Sequence, residues 1–184
     1  MARMHDDIAE VLLTEGEIQK RLDTLAAQLR TEYEDKDLTV VGLLTGSVLF
    51  LADLLKRLPI PLRLDYIAVS SYHGGMRSST DLVVTKTMRL DVRGRDVLVV
   101  DDILDTGHTL AHVRDMMRGY GPRDVKYCVF LEKDVPHARD VRADFVGFQI
   151  PDRFVVGYGL DYRERYRNLT YVATLKPEIV AAAP

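Results

Sequence analysis

The chain has 184 residues, of which 47% are hydrophobic and 29% charged, and its net charge is −3. That size predicts one domain with a substantial core, and the slightly acidic balance excludes an electrostatic footprint for nucleic acid. No apolar run approaches the ~20 residues of a membrane span. The segment from Met1 to Glu10 carries His5, Asp6, Asp7 and Glu10 and shows no apolar stretch of a secretory leader. The lone Cys128, set in the apolar run Tyr127 to Leu131, reads as a core thiol in a reducing compartment. A cytoplasmic, single-domain protein is the starting expectation.

In chain order, Thr14 with Glu17 three residues on forms a capping-box pattern. Ile18, Leu22, Leu25, Leu29 and Tyr33 then fall on one helical face, as in a helix packed on a sheet. Val40 to Leu44 reads as a strand and Val48 to Arg57 as a nearly all-apolar helix. Leu64 to Ser70 and Leu82 to Met88 are strands flanking a polar, glycine-containing loop of about residues 70–82, which looks like a two-stranded arm or lid. Val97 to Val100 is a further strand, followed by a helical pattern from Leu110 to about Arg118. Tyr127 to Leu131 and Phe145 to Ile150 complete the strand set, and Ala181 to Pro184 reads as a frayed tail. Strands alternating with helices predict right-handed crossovers and a mainly parallel sheet of about five strands, with helices on both faces.

The most informative segment runs from Val97 to Thr109. Val97 to Val100 reads as a strand buried on both faces, and Asp101 and Asp102 stand where it ends. The turn Asp105-Thr106-Gly107-His108-Thr109 then leads into a helix. Ligands of open α/β sheets bind at the carboxyl ends of the strands. Backbone N–H groups at such a turn and helix start form an anion cradle, and paired acids beside it suit sugar hydroxyls or a divalent metal. A phosphorylated sugar is the implied ligand. A receiver domain also ends a strand in paired acids, but it opens with that strand and needs about five βα units of roughly 25 residues. Only 88 residues follow Asp96, too few for that fold. Leu43-Leu44-Thr45-Gly46-Ser47 repeats the strand-to-turn-to-helix logic and offers a second anion cradle at Thr45 and Gly46. Alone it is an ordinary turn; beside the first cradle it fits a ligand with phosphates at both ends.

The string from Val97 to Thr109 resembles the signature with which type I phosphoribosyltransferases hold phosphoribosyl pyrophosphate. Pro151 to Tyr162, followed by Tyr166-Arg167-Asn168-Leu169, resembles the C-terminal part of the hypoxanthine-guanine phosphoribosyltransferases. Lys133 follows a strand where that family places its purine-contacting lysine, and Ser71-Tyr72 matches the pair in its mobile loop. The resemblance runs from about Val40 to Val172. It implies the type I phosphoribosyltransferase fold: an α/β core with a mainly parallel five-stranded sheet, a mobile loop, and a small hood from about residues 151–175 plus N-terminal residues.

By the same resemblance, Asp101, Asp102, Asp105, Thr106, Gly107, His108, Thr109, Thr45, Gly46 and Arg167 bind phosphoribosyl pyrophosphate. Lys133, Phe154, Val155 and Asp161 bind the purine. Mg²⁺ is the implied cofactor, held by Asp101, Asp102 and Asp161, and Asp105 is the implied general base at purine N7. The family often holds the peptide equivalent to Leu44-Thr45 in the cis form. Hypoxanthine and guanine are the implied acceptors, since Lys133 donates hydrogen bonds only and suits a 6-oxo group. Xanthine stays open, because the 2-substituent is read mainly by backbone. Phe154 could stack on a base, although on sequence alone it reads as a core strand residue. Three positions depart from the pattern: His137 stands where many relatives carry arginine, Thr45 stands where lysine or arginine is common, and Thr170 stands where bacterial relatives usually show proline. A regulator that merely senses the sugar phosphate is the rival reading; it would need a nucleic-acid surface and could dispense with the base-contacting residues. A homodimer or homotetramer is implied by resemblance alone.

Overall fold

The computed structural model describes residues 4–71, 82–136 and 141–181. A single turn of 3₁₀-helix, Met4–Asp7, precedes β1 (Ile8–Leu13), α1 (Glu15–Tyr33), β2 (Leu38–Leu44) and α2 (Val48–Leu55). Then come β3 (Leu62–Ser71), β4 (Leu82–Lys86), β5 (Asp96–Leu104), α3 (His108–Tyr120) and β6 (Asp124–Lys133). β7 (Phe145–Ile150), β8 (Val172–Leu175) and α4 (Pro177–Ala181) complete the described elements.

The main sheet has six strands in the order β4-β3-β2-β5-β6-β7. Five are mutually parallel, as the alternation of elements predicts. The sixth, β4, adds antiparallel to β3 and forms the base of the arm. The chain goes outward from β2 to β3 and then returns to β5 on the other side of β2. That reversal makes the carboxyl ends of β2 and β5 the switch point at which a ligand crevice opens.

Strand residues alternate between two cores. Leu38, Val40, Leu98, Val100, Cys128 and Phe130 face the cluster under α1 and α2. Val41, Leu43, Val97, Val99, Tyr127 and Val129 face the cluster under α3. This period of two, with helices covering both faces, is the geometry of a buried parallel sheet. α1 starts at the expected cap: Glu17 N–H donates to Thr14 Oγ1 at 3.3 Å and Thr14 N–H to Glu17 Oε2 at 2.8 Å, an arrangement worth about 1 kcal/mol. Its face of Ile18, Leu22, Leu25, Leu29 and Tyr33 is fully buried.

The second, smaller layer is the hood. β1 and β8 pair antiparallel, and Val156, Tyr166, Leu169 and Leu175 form its own apolar cluster with Ile8, Tyr162, Tyr171 and Ile179. The N-terminal residues thus join the tail, with Tyr166 donating its hydroxyl to Asp7 at 2.8 Å. No helix among the described residues is long and apolar enough to cross a membrane.

Candidate active site

β2 ends in a tight connection to α2. The Leu44–Thr45 peptide is cis, as the resemblance implies. The Ser47 hydroxyl donates back to Leu43 O, which closes the turn from inside. Gly46 is required by contact: a Cβ there would lie 1.7 Å from Asp102 Oδ2. The turn therefore packs directly against the acids at the end of β5.

Asp101 is only 7% exposed. Asp102 N–H donates to Asp101 Oδ1 at 2.9 Å, and Ile103 N–H to Asp102 Oδ1 at 3.0 Å. Burial pushes both carboxyls above the ordinary carboxylate range, Asp101 furthest because the charge of Asp102 adds repulsion. Hydrogen bonds and the nearby Arg167 guanidinium partly restrain the rise at Asp102. Two acids crowded in low dielectric favour a proton or a cation between them.

After β5 the chain wraps a small cavity of about 120 Å³ lined by Asp105, Thr106, Gly107, His108 and Thr109. Gly107 adopts a left-handed φ of 83° at the N-terminus of α3, a conformation glycine takes without steric cost. The first residues of α3, His108 to Leu110, line this cavity, and at such a helix start the free amides and the helix dipole favour negative charge. A larger cleft of about 580 Å³ adjoins it, lined by Thr45, Gly46, Asp102, Asp161, Glu164 and Arg167 among others. The two sequence-predicted anion cradles thus open into adjoining spaces with the acid pair between them.

The hood supplies the far wall. Gly159, at φ 103°, sits against the Gly46 carbonyl so closely that a Cβ would come within 2.0 Å of it. Tyr158 anchors this turn by donating its hydroxyl to Asp53 of α2 at 2.8 Å. Arg167 donates to Gly159 O at 2.8 Å and pairs with Asp161 at 2.9 Å and Glu164 at 3.0 Å. Asp161 Oδ2 also accepts from Glu164 N–H at 2.9 Å. Among the described residues, no group of three or more histidine, cysteine, aspartate or glutamate side chains is arranged to hold a metal by itself.

Beside the small cavity, which Asp105 lines, Lys133 at the tip of β6 donates to Asp105 Oδ2 at 3.0 Å and to Asp152 Oδ1 at 3.2 Å. Phe154 is 53% exposed, with its ring edge-to-face against Tyr162 at 5.7 Å. The expectation of a core residue on sequence alone is therefore corrected: the ring is left open to a ligand. Val155, one residue on, turns its side chain into the core instead. Ser71 pairs through its backbone with Leu82 at the base of the arm, whereas Tyr72 and His137 lie outside the described residues. Sequence reading missed Glu164, Tyr158 and Asp152. The Gly157-Tyr158-Gly159 alternation was the available signal for a close hood-to-core approach; nothing local marked the other two.

The phosphoribosyl transferase domain family matches residues 9–163. The hypoxanthine-guanine phosphoribosyltransferase of Staphylococcus aureus is 45% identical over 176 residues, covering 96% of this chain and 98% of that protein. The chain belongs to this family. A crystal structure of a hypoxanthine phosphoribosyltransferase from S. aureus superposes with a TM-score of 0.90 at 45% identity, covering 96% of each chain. The bifunctional TilS/HprT protein of Listeria monocytogenes is 46% identical over 176 residues, 96% of this chain, which spans only 27% of that longer protein.

Proposed function

We propose that this protein transfers the 5-phosphoribosyl group from phosphoribosyl pyrophosphate to N9 of hypoxanthine or guanine, a purine-salvage reaction that releases pyrophosphate. The observation that carries the reading is the Lys133–Asp105 pair, 3.0 Å apart, with Asp105 also lining the cavity at the start of α3. A 6-oxopurine presents N7 and O6 side by side on one edge. A lysine that can only donate matches O6, and a carboxylate matches a proton on N7. Adenine offers an amino group at position 6, which faces Lys133 donor to donor, and such a mismatch in a buried polar site discriminates strongly.

The family resemblance and the positions of these residues support the following roles. Thr106 to Thr109 and the α3 amides take the 5-phosphate; Thr45, Gly46 and Arg167 take pyrophosphate. Asp101 and Asp102 take the ribose hydroxyls. As the anomeric carbon leaves pyrophosphate and bonds to N9, Asp105 accepts the proton from N7. Phe154 stacks on the base, and the backbone at Val155 and Asp161 faces its 2-substituent. By the family resemblance, the Ser71-Tyr72 loop would close during the reaction and exclude water, which would otherwise capture the sugar.

The crowded acid pair suits Mg²⁺, which usually takes one or two carboxylates and completes its shell with substrate oxygens and water. Asp101 and Asp102 would hold that ion, and Asp161 a second, with Arg167 as its competitor in the free protein. Bound there, Mg²⁺ neutralises charge on the departing pyrophosphate. Chain and hood form one functional unit in this reading, acting in the cytoplasm as a homodimer or homotetramer; size-exclusion with light scattering checks the assembly.

The test is a spectrophotometric assay with phosphoribosyl pyrophosphate, Mg²⁺ and hypoxanthine, guanine, xanthine or adenine in turn. Turnover of hypoxanthine and guanine, with kcat/KM for adenine lower by orders of magnitude, is the expected result. Comparable use of adenine contradicts the base assignment. Binding of the sugar phosphate without transfer to any purine favours the sensing regulator.

A further inference from the structure

Lys133 is held from two sides. Its side chain is 11% exposed, while the carboxylates it meets are far more open, Asp105 at 44% and Asp152 at 65%. Asp105 belongs to the loop after β5. Asp152 belongs to the segment that leaves β7 for the hood, and backbone contacts place it: Lys133 is in register with Ile150, Asp134 N–H donates to Ile150 O at 2.9 Å, and Arg153 N–H to Pro151 O at 2.8 Å. Its neighbour Arg153 does not draw it away, because that guanidinium pairs with Glu10 and donates to Thr174. The purine-transfer reading leaves Asp152 without a role.

A lysine head is a compact charge with three donors on a flexible stem. Fixing two of those donors fixes where the third can point. With Asp105 as its sole partner, the ammonium would settle on the carboxylate that must face purine N7. We propose that Asp152 is a positioning residue for purine recognition: it pulls the Lys133 ammonium toward the hood. One N–H is then left for O6, and Asp105 is shared rather than captured. This rests on the purine-transfer reading above. Burial opposes the charge on Lys133, but the two carboxylates outweigh it and lift its pKa, so the group stays a donor.

The experiment measures kcat and KM for hypoxanthine and for phosphoribosyl pyrophosphate in wild type, Asp152→Asn, Asp152→Glu, Lys133→Ala and the Lys133→Ala/Asp152→Asn double variant. Asp152 is largely exposed, so its loss should raise KM for hypoxanthine by about fivefold, the scale of an open ion pair. KM for phosphoribosyl pyrophosphate should stay within twofold, about the scatter of a surface change. Asp152→Glu, which keeps the charge, should recover part of the loss. In the Lys133→Ala background, Asp152→Asn should add nothing, since a residue that acts through another shows full coupling. Additive losses, an equal rise in both KM values or an unchanged KM for hypoxanthine would each overturn the proposal. A wild type that makes no nucleotide from hypoxanthine is the distinct outcome that fails the purine-transfer reading, and this proposal with it.

Discussion

Asp65 in β3 and Asp101 in β5 are buried almost equally, at 6% and 7% exposure, in strands that flank the same central β2. Their surroundings are opposite. Asp65 accepts from the backbone N–H groups of Arg89, Leu90 and Tyr66 at 2.6, 2.8 and 2.8 Å, with the Lys86 ammonium 3.5 Å away. Burial works against its charge, yet those donors hold its pKa below the ordinary value. Asp101 instead faces a second carboxylate and is pushed up. A buried acid surrounded by donors is a structural fastener, here tying the segment after β4 to β3. A buried acid pressed against another, with a single backbone donor to relieve it, marks a candidate site for a ligand or cation.

Asp105, neither buried nor crowded, is the proton acceptor in the proposed reaction and gives the largest expected effect. Asp105→Asn keeps the turn but removes the proton acceptor, so kcat should fall by about 10²–10⁴-fold. A modest change in KM for phosphoribosyl pyrophosphate should accompany it, the pattern of an interaction made in the transition state. Near-normal kcat would make Asp105 a turn residue only.

Asp65→Ala tests the fastener. Three backbone donors lose their acceptor, at a cost of about 3 kcal/mol, visible in urea or thermal unfolding with kcat little changed. The pH dependence has a definite sign. A carboxyl with a depressed folded pKa stabilises above its unfolded pKa and loses that contribution as pH falls through the folded one. The stability gap between wild type and Asp65→Ala should therefore close on acidification below about pH 4. A gap that persists would mean that packing, not the carboxylate, is at stake.

Asp101→Asn sharpens the contrast with the smallest signal. Replacing one of two crowded, buried carboxyls in metal-free buffer should raise Tm by about 3 °C, roughly 1 kcal/mol for a chain of this size, while impairing use of phosphoribosyl pyrophosphate. A fall in Tm would place Asp101 with Asp65 as a structural acid.

Much of this was legible in the sequence because the signals were local. The Val97–Thr109 string carries strand, acids, glycine turn and helix start in one run, and the capping box at Thr14 fixed the start of α1. The hood was legible only through family resemblance, since β1 and β8 are short and pair across the whole chain, and no local pattern marks either as a strand. Tyr158, Arg163, Glu164 and Tyr166 adopt positive φ, which non-glycine residues take only when their surroundings impose it. No local pattern announces that. The antiparallel β4 made the sheet six-stranded rather than five, because an arm folding back on β3 adds an edge strand without a crossover. Asp152 stayed invisible for a similar reason: its partner Lys133 lies 19 positions away, across the junction of β7 and the hood.

The central claim is that the switch-point acids and the two anion cradles serve transfer of a phosphoribosyl group to a 6-oxopurine. ³¹P NMR of phosphoribosyl pyrophosphate with hypoxanthine, in Mg²⁺ and then after exhaustive chelation with EDTA, tests it most directly. The account predicts nucleotide and pyrophosphate appearing in equal amounts with Mg²⁺ and no further turnover after chelation. Turnover that continues without the cation, or release of pyrophosphate with no nucleotide formed, would contradict it.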